Sequence, residues 1–554
     1  MLSVARTIVT ANGSVRAEGA VLTATASAVS AAGRALSFLL PRTQTSLAKT
    51  FRADPLLLWT TAALVVAAWV PLFLTPILPF SDLGINTAAA DLIWDTAIGR
   101  LPAATYYKVQ WGPLPYWTTY GLCSVLGRLF GPLVAAKLLT AFILALVPLS
   151  MMRLLLALGR DARLGLWAFA LSWEHNLYAG WLALLFGVGL VCFVLAWMFE
   201  AETVLDGFRI APYAALIGLT HVQATWLFAM AGGAITFTTG PIRRRMAIHG
   251  AAFLGTILVM VPWLFGQTRP GGGSAPGGMP HFGFEWHTPA IKLSQFFAYT
   301  LDNFSRADGE RAAALTFVVL VVGPLLLTLV PRRPAVDRDR WSAVVLLAVA
   351  GALYALLPWA ISGPISHWYT YPRYSTVFLL WMLLIPAPRL RGWATAALLP
   401  GILAALLMDA KAVDQFASFG ARARPYLDVM AQVPARASVL AIVLDDNDAD
   451  PDLKLPPYHQ FYAYITAQGH GYSPYLWSNN SIPLVYRPGA QLPAPGWNGG
   501  FSLEDYGKYY DYVLVQGIQH GDPVAASNAS APAGGSPQPR LLIERTRWRL
   551  YAIR

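Results

Sequence analysis

Long apolar blocks separated by short polar connections set the pattern of this chain. The first, Leu56–Leu78, has 23 residues and no charge. As a helix rising about 1.5 Å per residue it reaches roughly 35 Å, enough to cross a hydrocarbon core of about 30 Å. Further blocks lie at Pro132–Leu156, Leu164–Trp173, Trp181–Phe199, Ala211–His221, Ala224–Thr239, Ala247–Phe265, Ala312–Val330, Trp341–Ile361, Ser375–Pro386 and Trp393–Met408. Several are shorter than the roughly twenty residues of a full span. Polar interruptions around Glu174–Asn176 and His221–Gln223 predict broken helices lining a cavity, where irregular backbone is tolerated. The pattern predicts a polytopic α-helical membrane protein with about eleven transmembrane helices in residues 56–409.

Between the first two blocks, Pro79–Gly131 is aromatic and only half polar. Its stretches Asn86–Ile98 and Leu114–Leu129 predict helices on or dipping into the membrane surface. Trp94, Tyr106, Tyr107, Trp111, Tyr116 and Trp117 suit that depth, where an apolar ring with a polar handle is stable. Residues 1–55, rich in Ala, Ser and Thr, predict a loosely structured cytoplasmic tail. They lack the apolar core and small-residue cleavage site of a signal peptide. Beyond Asp409 the period changes. Ser438–Leu444 and Tyr512–Gln516 predict strands, Leu541–Ile543 and Arg549–Ile553 a closing hairpin, and Pro425–Val433 a helix. Residues 410–554 therefore predict a small soluble α/β domain, with Asn528–Pro539 as a surface loop.

Composition agrees with this reading. Charged residues make up 12% of the chain and hydrophobic ones 56%, whereas soluble proteins carry about a quarter charged residues. The net charge of +11 does not point to nucleic acid, because residues 411–554 hold 12 basic and 12 acidic side chains and the excess lies in short loops. With the N-terminus inside, the cytoplasmic loops carry 19 Lys or Arg against 8 in the opposite loops before residue 410. That bias places loops 79–131 and 267–311 and the C-terminal domain outside the cytoplasm. Arg outnumbers Lys by 33 to 7, in keeping with a GC-rich bacterial genome and a bacterial inner membrane. Cys123 and Cys192 lie far apart in apolar segments, as packing thiols do.

The first outer loop holds the most suggestive chemistry. Asp82 stands just past the first span. It can be a general base at the edge of a low-dielectric cavity, with its pKa raised, or the cap of the helix that follows. Asp91 and Asp95, four residues apart, share one helix face; they supply either a second acid or metal ligand, or a solvated face. Arg100, Lys108 and Arg373 are candidates to hold a phosphate. Arg373 lies in the run His367-Trp368-Tyr369-Thr370-Tyr371-Pro372-Arg373-Tyr374, which reads as a sugar-phosphate site containing His367 and Tyr371 or as an aromatic belt with a snorkelling Arg. Glu174-His175-Asn176 and His221-x-Gln223 are functional clusters at span ends or packed polar residues. His281, Glu285 and His287 form a weak metal set, and Asp445–Asp452 lacks the Gly and distant Glu of a calcium loop. No dinucleotide, P-loop, HExxH, CxxC or GxSxG motif occurs.

The order of elements carries a family likeness. Pro79-Phe80-Ser81-Asp82 is followed by Ala90-Asp91-Leu92-Ile93-Trp94-Asp95, Gly99-Arg100-Leu101-Pro102, Val109 through the Pro113-Leu114-Pro115-Tyr116 element, and the small-residue-rich Gly131–Ala145. This resembles the GT-C superfamily of membrane glycosyltransferases, in the branch of protein mannosyltransferases and lipid A aminoarabinose transferases. The resemblance implies a polyprenyl-phosphate or -diphosphate sugar donor, with Asp82 as catalytic base or metal ligand. The acceptor would be a glycan, lipid or protein hydroxyl. It leaves a divalent cation, Mg or Mn, open, because the paired acids of metal-using members are absent after the first span. Two rivals stand beside it. One is a transporter or flippase of a lipid-linked glycan, which would concentrate ionisable groups near the midplane. The other is a non-catalytic scaffold with an outer binding domain.

Overall fold

The computed structural model describes residues 41, 45–267, 283–330, 337–362, 367–444, 450–477, 482–495, 501–518, 521–529 and 538–553. The tail 1–40, His281, residues 445–449 and most of the 528–539 loop lie outside the described residues. A short helix α1 (Leu47–Ala53) precedes α2 (Pro55–Leu74). The start of α2 is fixed by Pro55 in its first turn and by the Asp54 side chain accepting the Leu57 N–H at 3.1 Å. It stops four residues before the end of the predicted block, because Pro76 cannot extend a helix.

Six helices among the described residues are long and apolar enough to cross a membrane. They are α2, α5 (Pro132–Ala157), α6 (Leu182–Glu200), α9 (Ile242–Gln267), α10 (Ala307–Leu327) and α13 (Leu399–Ala431). Their outward faces expose apolar side chains in rows: Leu56, Trp59, Val66 and Phe73 on α2, Leu258 and Phe265 on α9. Rows this extensive are stable against lipid and not against water. The chain is thus a multi-pass membrane protein.

The other predicted blocks are shorter. α7 (Val204–Thr220) and α8 (Val222–Thr238) have 17 residues each, α11 covers Asp337–Leu356 and α12 Ser375–Met382. The predicted block Leu164–Trp173 is not an α-helix but a 3-10 helix, Ala162–Leu171. The block ending at Ile361 closes at Leu356, and Ala360–Ser362 (β3) pairs instead with Gly283–Glu285 (β2). The first outer loop folds into α3 (Leu83–Ala97) and α4 (Trp117–Phe130). α4 begins later than Leu114 because Pro113 and Pro115 hold the preceding backbone extended.

Helix α13 runs without a break through Asp409, where the sequence pattern changes, and takes in most of the predicted 425–433 helix. Beyond it a four-stranded sheet is ordered β4-β6-β8-β7. Val439–Val443 (β4) is parallel to Tyr512–Gln516 (β6), which is antiparallel to Trp548–Ala552 (β8), itself paired with Arg540–Arg545 (β7). Two contacts tie this region to the first outer loop. Tyr107–Val109 (β1) pairs antiparallel with Leu484–Tyr486 (β5), in the register Tyr107↔Tyr486. α14 (Tyr462–Gly469) packs along α3.

Candidate functional site

A cavity of about 670 Å³ opens where α3, α4, residues 179–183, the 367–373 segment, residues 455–459, Trp477 and Ile482 meet. Its polar wall includes Asp82, His175, His221, His367, Arg373 and His459. The aromatic wall is Tyr116, Tyr120, Trp181, Trp368, Tyr369 and Trp477. Two of these residues, Tyr116 (φ 72°) and Tyr369 (φ 56°), hold left-handed backbone that side chains other than glycine disfavour. Such strain persists where packing over-determines it and concentrates at functional sites.

Asp82 is set by its backbone first. The Ser81 N–H donates to the Tyr178 carbonyl at 2.9 Å and the Asp82 N–H to Ala179 at 3.1 Å. The turn supplying those carbonyls closes on Gly180, at φ 82°, where a Cβ would lie 2.9 Å from the Asp82 nitrogen. Only glycine satisfies both the angle and the approach. Although Asp82 is the N-cap residue of α3, its side chain makes no capping hydrogen bond. Instead Oδ2 accepts the Trp181 Nε1–H and Oδ1 the Gln460 Nε2–H, each at 3.0 Å. The carboxylate is half-buried: part of it meets the cavity, while dense protein surrounds the rest. Burial raises its pKa above the usual carboxylate range, and Trp181, His459, Arg373 and Gln460 pull it only partway back.

Arg373 is buried across the cavity, its guanidinium 3.9 Å above the Trp181 ring. Nη2 donates to the Trp368 carbonyl at 3.3 Å, and Nε has no partner. His221 Nδ1 accepts the Gln223 N–H at 3.1 Å, so the network puts the ring proton on Nε2. Nε2 then donates to the Tyr116 hydroxyl at 3.3 Å. Arg373 Nη1, also 3.3 Å from Nε2, meets a hydrogen rather than a lone pair. Burial and the nearby Arg373 bring His367 to about 3. His175 is lowered to about 4 by burial. The cavity thus offers a carboxylate and an under-used guanidinium together.

Of the candidate catalytic and substrate-binding residues read from sequence, Asp82, His175, His221, His367 and Arg373 line this cavity, while Asp91, Asp95, Arg100, Lys108, Glu174 and Tyr371 are not among its lining residues. Glu174 is turned inward, accepting the Asn176 and Leu177 N–H groups at 2.9 and 2.8 Å and the Thr376 hydroxyl at 2.6 Å. Burial pushes its pKa up to about 7. The Tyr371 hydroxyl contacts His287 Nδ1 and Gln295 Oε1, both at 2.9 Å. Lys108 is exposed on β1, and Arg100 pairs with Asp95 at 3.2 Å. Asp91 and Asp95 are not a solvated face: both are buried, 2.7 and 3.2 Å from His470 Nδ1. Sequence reasoning missed Trp181, His459, Gln460 and Trp477. The aromatic run Tyr458-His459-Gln460-Phe461-Tyr462 was the available signal, since it repeats the character of 367–374.

Among the described residues no group of three His, Cys, Asp or Glu side chains converges as a metal set. Both Asp82 oxygens accept N–H donors, and among the described residues lining the cavity there is no second carboxylate. That donor set does not fit an oxygen-seeking divalent cation.

The fold matches that of ArnT from Cupriavidus metallidurans bound to undecaprenyl phosphate, with 13% identity and a TM-score of 0.51 over 90% of this chain and 98% of that one. The apo structure of ArnT aligns at 13% identity and a TM-score of 0.49, over 91% and 98%. The mycobacterial arabinofuranosyltransferase AftD aligns at 15% identity and a TM-score of 0.45, over 93% of this chain and 42% of that one. No protein-family model and no curated protein matches the sequence. At 13% identity, what the bound ArnT structure shares with this chain is the GT-C fold.

Proposed function

We propose that this protein is an inverting membrane glycosyltransferase. It moves a sugar from a polyprenyl-phosphate or -diphosphate donor to an acceptor hydroxyl on the outer face of a bacterial plasma membrane. The membrane domain would cross eleven times, with the N-terminus inside and residues 410–554 outside. One observation carries the reading: Asp82 and Arg373 face one cavity in a fold that ArnT uses while holding undecaprenyl phosphate.

In the reaction Asp82 takes the acceptor proton as the hydroxyl oxygen bonds to the anomeric carbon. The bond from that carbon to the phosphate oxygen breaks, and the phosphate leaves with the electron pair. A single displacement inverts the anomeric centre. Asp82 keeps lone pairs for the proton beyond those engaged by Trp181 and Gln460. The raised pKa brings it nearer the basicity a general base needs. Arg373, with Nε unpartnered and Nη1 facing no acceptor, supplies the leaving phosphate with charge-assisted donors. Cation–π contact with Trp181 holds the guanidinium in place. No step runs through a metal.

The test is sugar release from a panel of polyprenyl-phosphate sugars by the purified full chain, comparing wild type with Asp82→Asn. Turnover lost in the variant, with donor binding retained, supports the transferase. Tight donor binding without turnover by wild type under any acceptor condition favours a carrier of lipid-linked glycan instead.

A further inference from the structure

The C-terminal region reaches the cavity through residues 455–460, and one of its side chains touches the proposed base directly. Gln460 lies 378 residues from Asp82 in sequence, yet its Nε2–H donates to Asp82 Oδ1 at 3.0 Å. Its other amide atom, Oε1, accepts the Ile85 N–H at 3.3 Å. That second bond fixes which way the amide faces: the oxygen is committed to the first turn of α3, so the nitrogen must face the carboxylate. The approach is close. A Cβ at Gly84 would lie 2.2 Å from the Gln460 carbonyl oxygen, so a glycine in the first turn of α3 lets the Gln460 backbone sit against it. The far side of Asp82 is held by Trp181, whose ring also carries Arg373. The carboxylate is therefore clamped between two N–H donors, one from the membrane domain and one from the C-terminal region.

We infer that Gln460 is a positioning residue for Asp82, and that the C-terminal region thereby completes the active site rather than serving only to select an acceptor. This rests on the reading of Asp82 as the base. The amide sets the in-plane orientation of the carboxylate and favours its ionised form, since a neutral donor stabilises the anion and not the acid. The other groups facing Asp82 are His459 and Arg373, both of which favour the anion, and the neutral hydroxyls of Tyr116, Tyr120 and Tyr369. None of these changes when Gln460 does.

The experiment uses dicyclohexylcarbodiimide, which reacts with protonated carboxyls in apolar surroundings. Labelling of the Asp82 peptide is followed against pH by mass spectrometry in the full chain, for wild type, Gln460→Met and Gln460→Glu. Asp82→Asn serves as the blank. The methionine removes both amide contacts. The glutamate keeps the acceptor for Ile85 but opposes one carboxylate with another. The pH of half-labelling should rise by about one unit in the methionine variant and further in the glutamate variant. The acid limb of turnover should move with it, and activity should recover at higher pH. Superimposable labelling curves in folded variants would overturn the inference. So would loss of fold in both variants, because a residue that only aligns Asp82 leaves the rest standing. A shifted curve in a protein that turns over no donor would keep the clamp and sink the transferase reading.

Discussion

Two carboxylate sites, one half-buried and one buried, lie within fourteen residues of each other on the first outer loop, and both touch the C-terminal region. Asp82 meets neutral N–H donors and a cavity; Asp91 and Asp95 meet the His470 imidazole, with Arg100 and Arg128 beside Asp95. At the second site His470 is held above the usual histidine range by its bond to Asp91, so cationic partners neutralise the acids. At the first the oxygens accept from neutral N–H donors, and space remains beside them. The same residue type keeps unused lone pairs toward a cavity at one site and is consumed by opposite charge at the other.

That contrast can be broken at either end. The largest effect should come from Asp82→Asn, which removes the proposed general base and should lower sugar release by about 10²–10⁴-fold with donor affinity retained. Arg373→Ala should follow, with about 10²–10³-fold lost in kcat and weaker binding of polyprenyl phosphate, as for loss of a transition-state charge donor. Scintillation counting of transferred sugar and of bound lipid separates the two. His470→Ala should leave kcat near wild type yet lower the thermal midpoint, on the order of 1 °C for each kcal/mol lost.

The pH sign follows from the raised pKa of His470. Its contribution is complete below the ordinary histidine value of about 6.5 and is lost as pH rises through the higher folded value. Wild-type stability should therefore fall over that interval in a melting series, and the fall should vanish in His470→Ala. If His470→Ala instead abolishes turnover at an unchanged melting temperature, the second site is not merely a fastener. Lys108→Ala should have the smallest effect, within about 0.5 kcal/mol of stability and with unaltered turnover, since the side chain is exposed.

Particular residues show how far the sequence could be read. The span at 56–78 and the existence of helices around Asn86–Ile98 and Leu114–Leu129 were legible from local apolar pattern and proline, but the burial of Leu83–Ala97 against the rest of the protein was not. The strand at Tyr512–Gln516 was legible from its β-branched run. The 3-10 helix at Ala162–Leu171 was not, because composition does not separate one helical pitch from another. Asp82 stood out by position alone. Glu174 looked equally functional, yet its oxygens are spent on capping and on Thr376.

What the sequence by itself determined was the solvent of each segment. Transfer of apolar side chains from water depends on composition and length, which are written in order along the chain. Which carboxylate faces a cavity and which meets a cation was decided only by tertiary structure. Gln460 and His470 reach Asp82 and Asp91 across more than 370 residues of chain. Hydrogen bonds and ion pairs act over a few ångströms, and no local pattern specifies which distant side chains will come within that range.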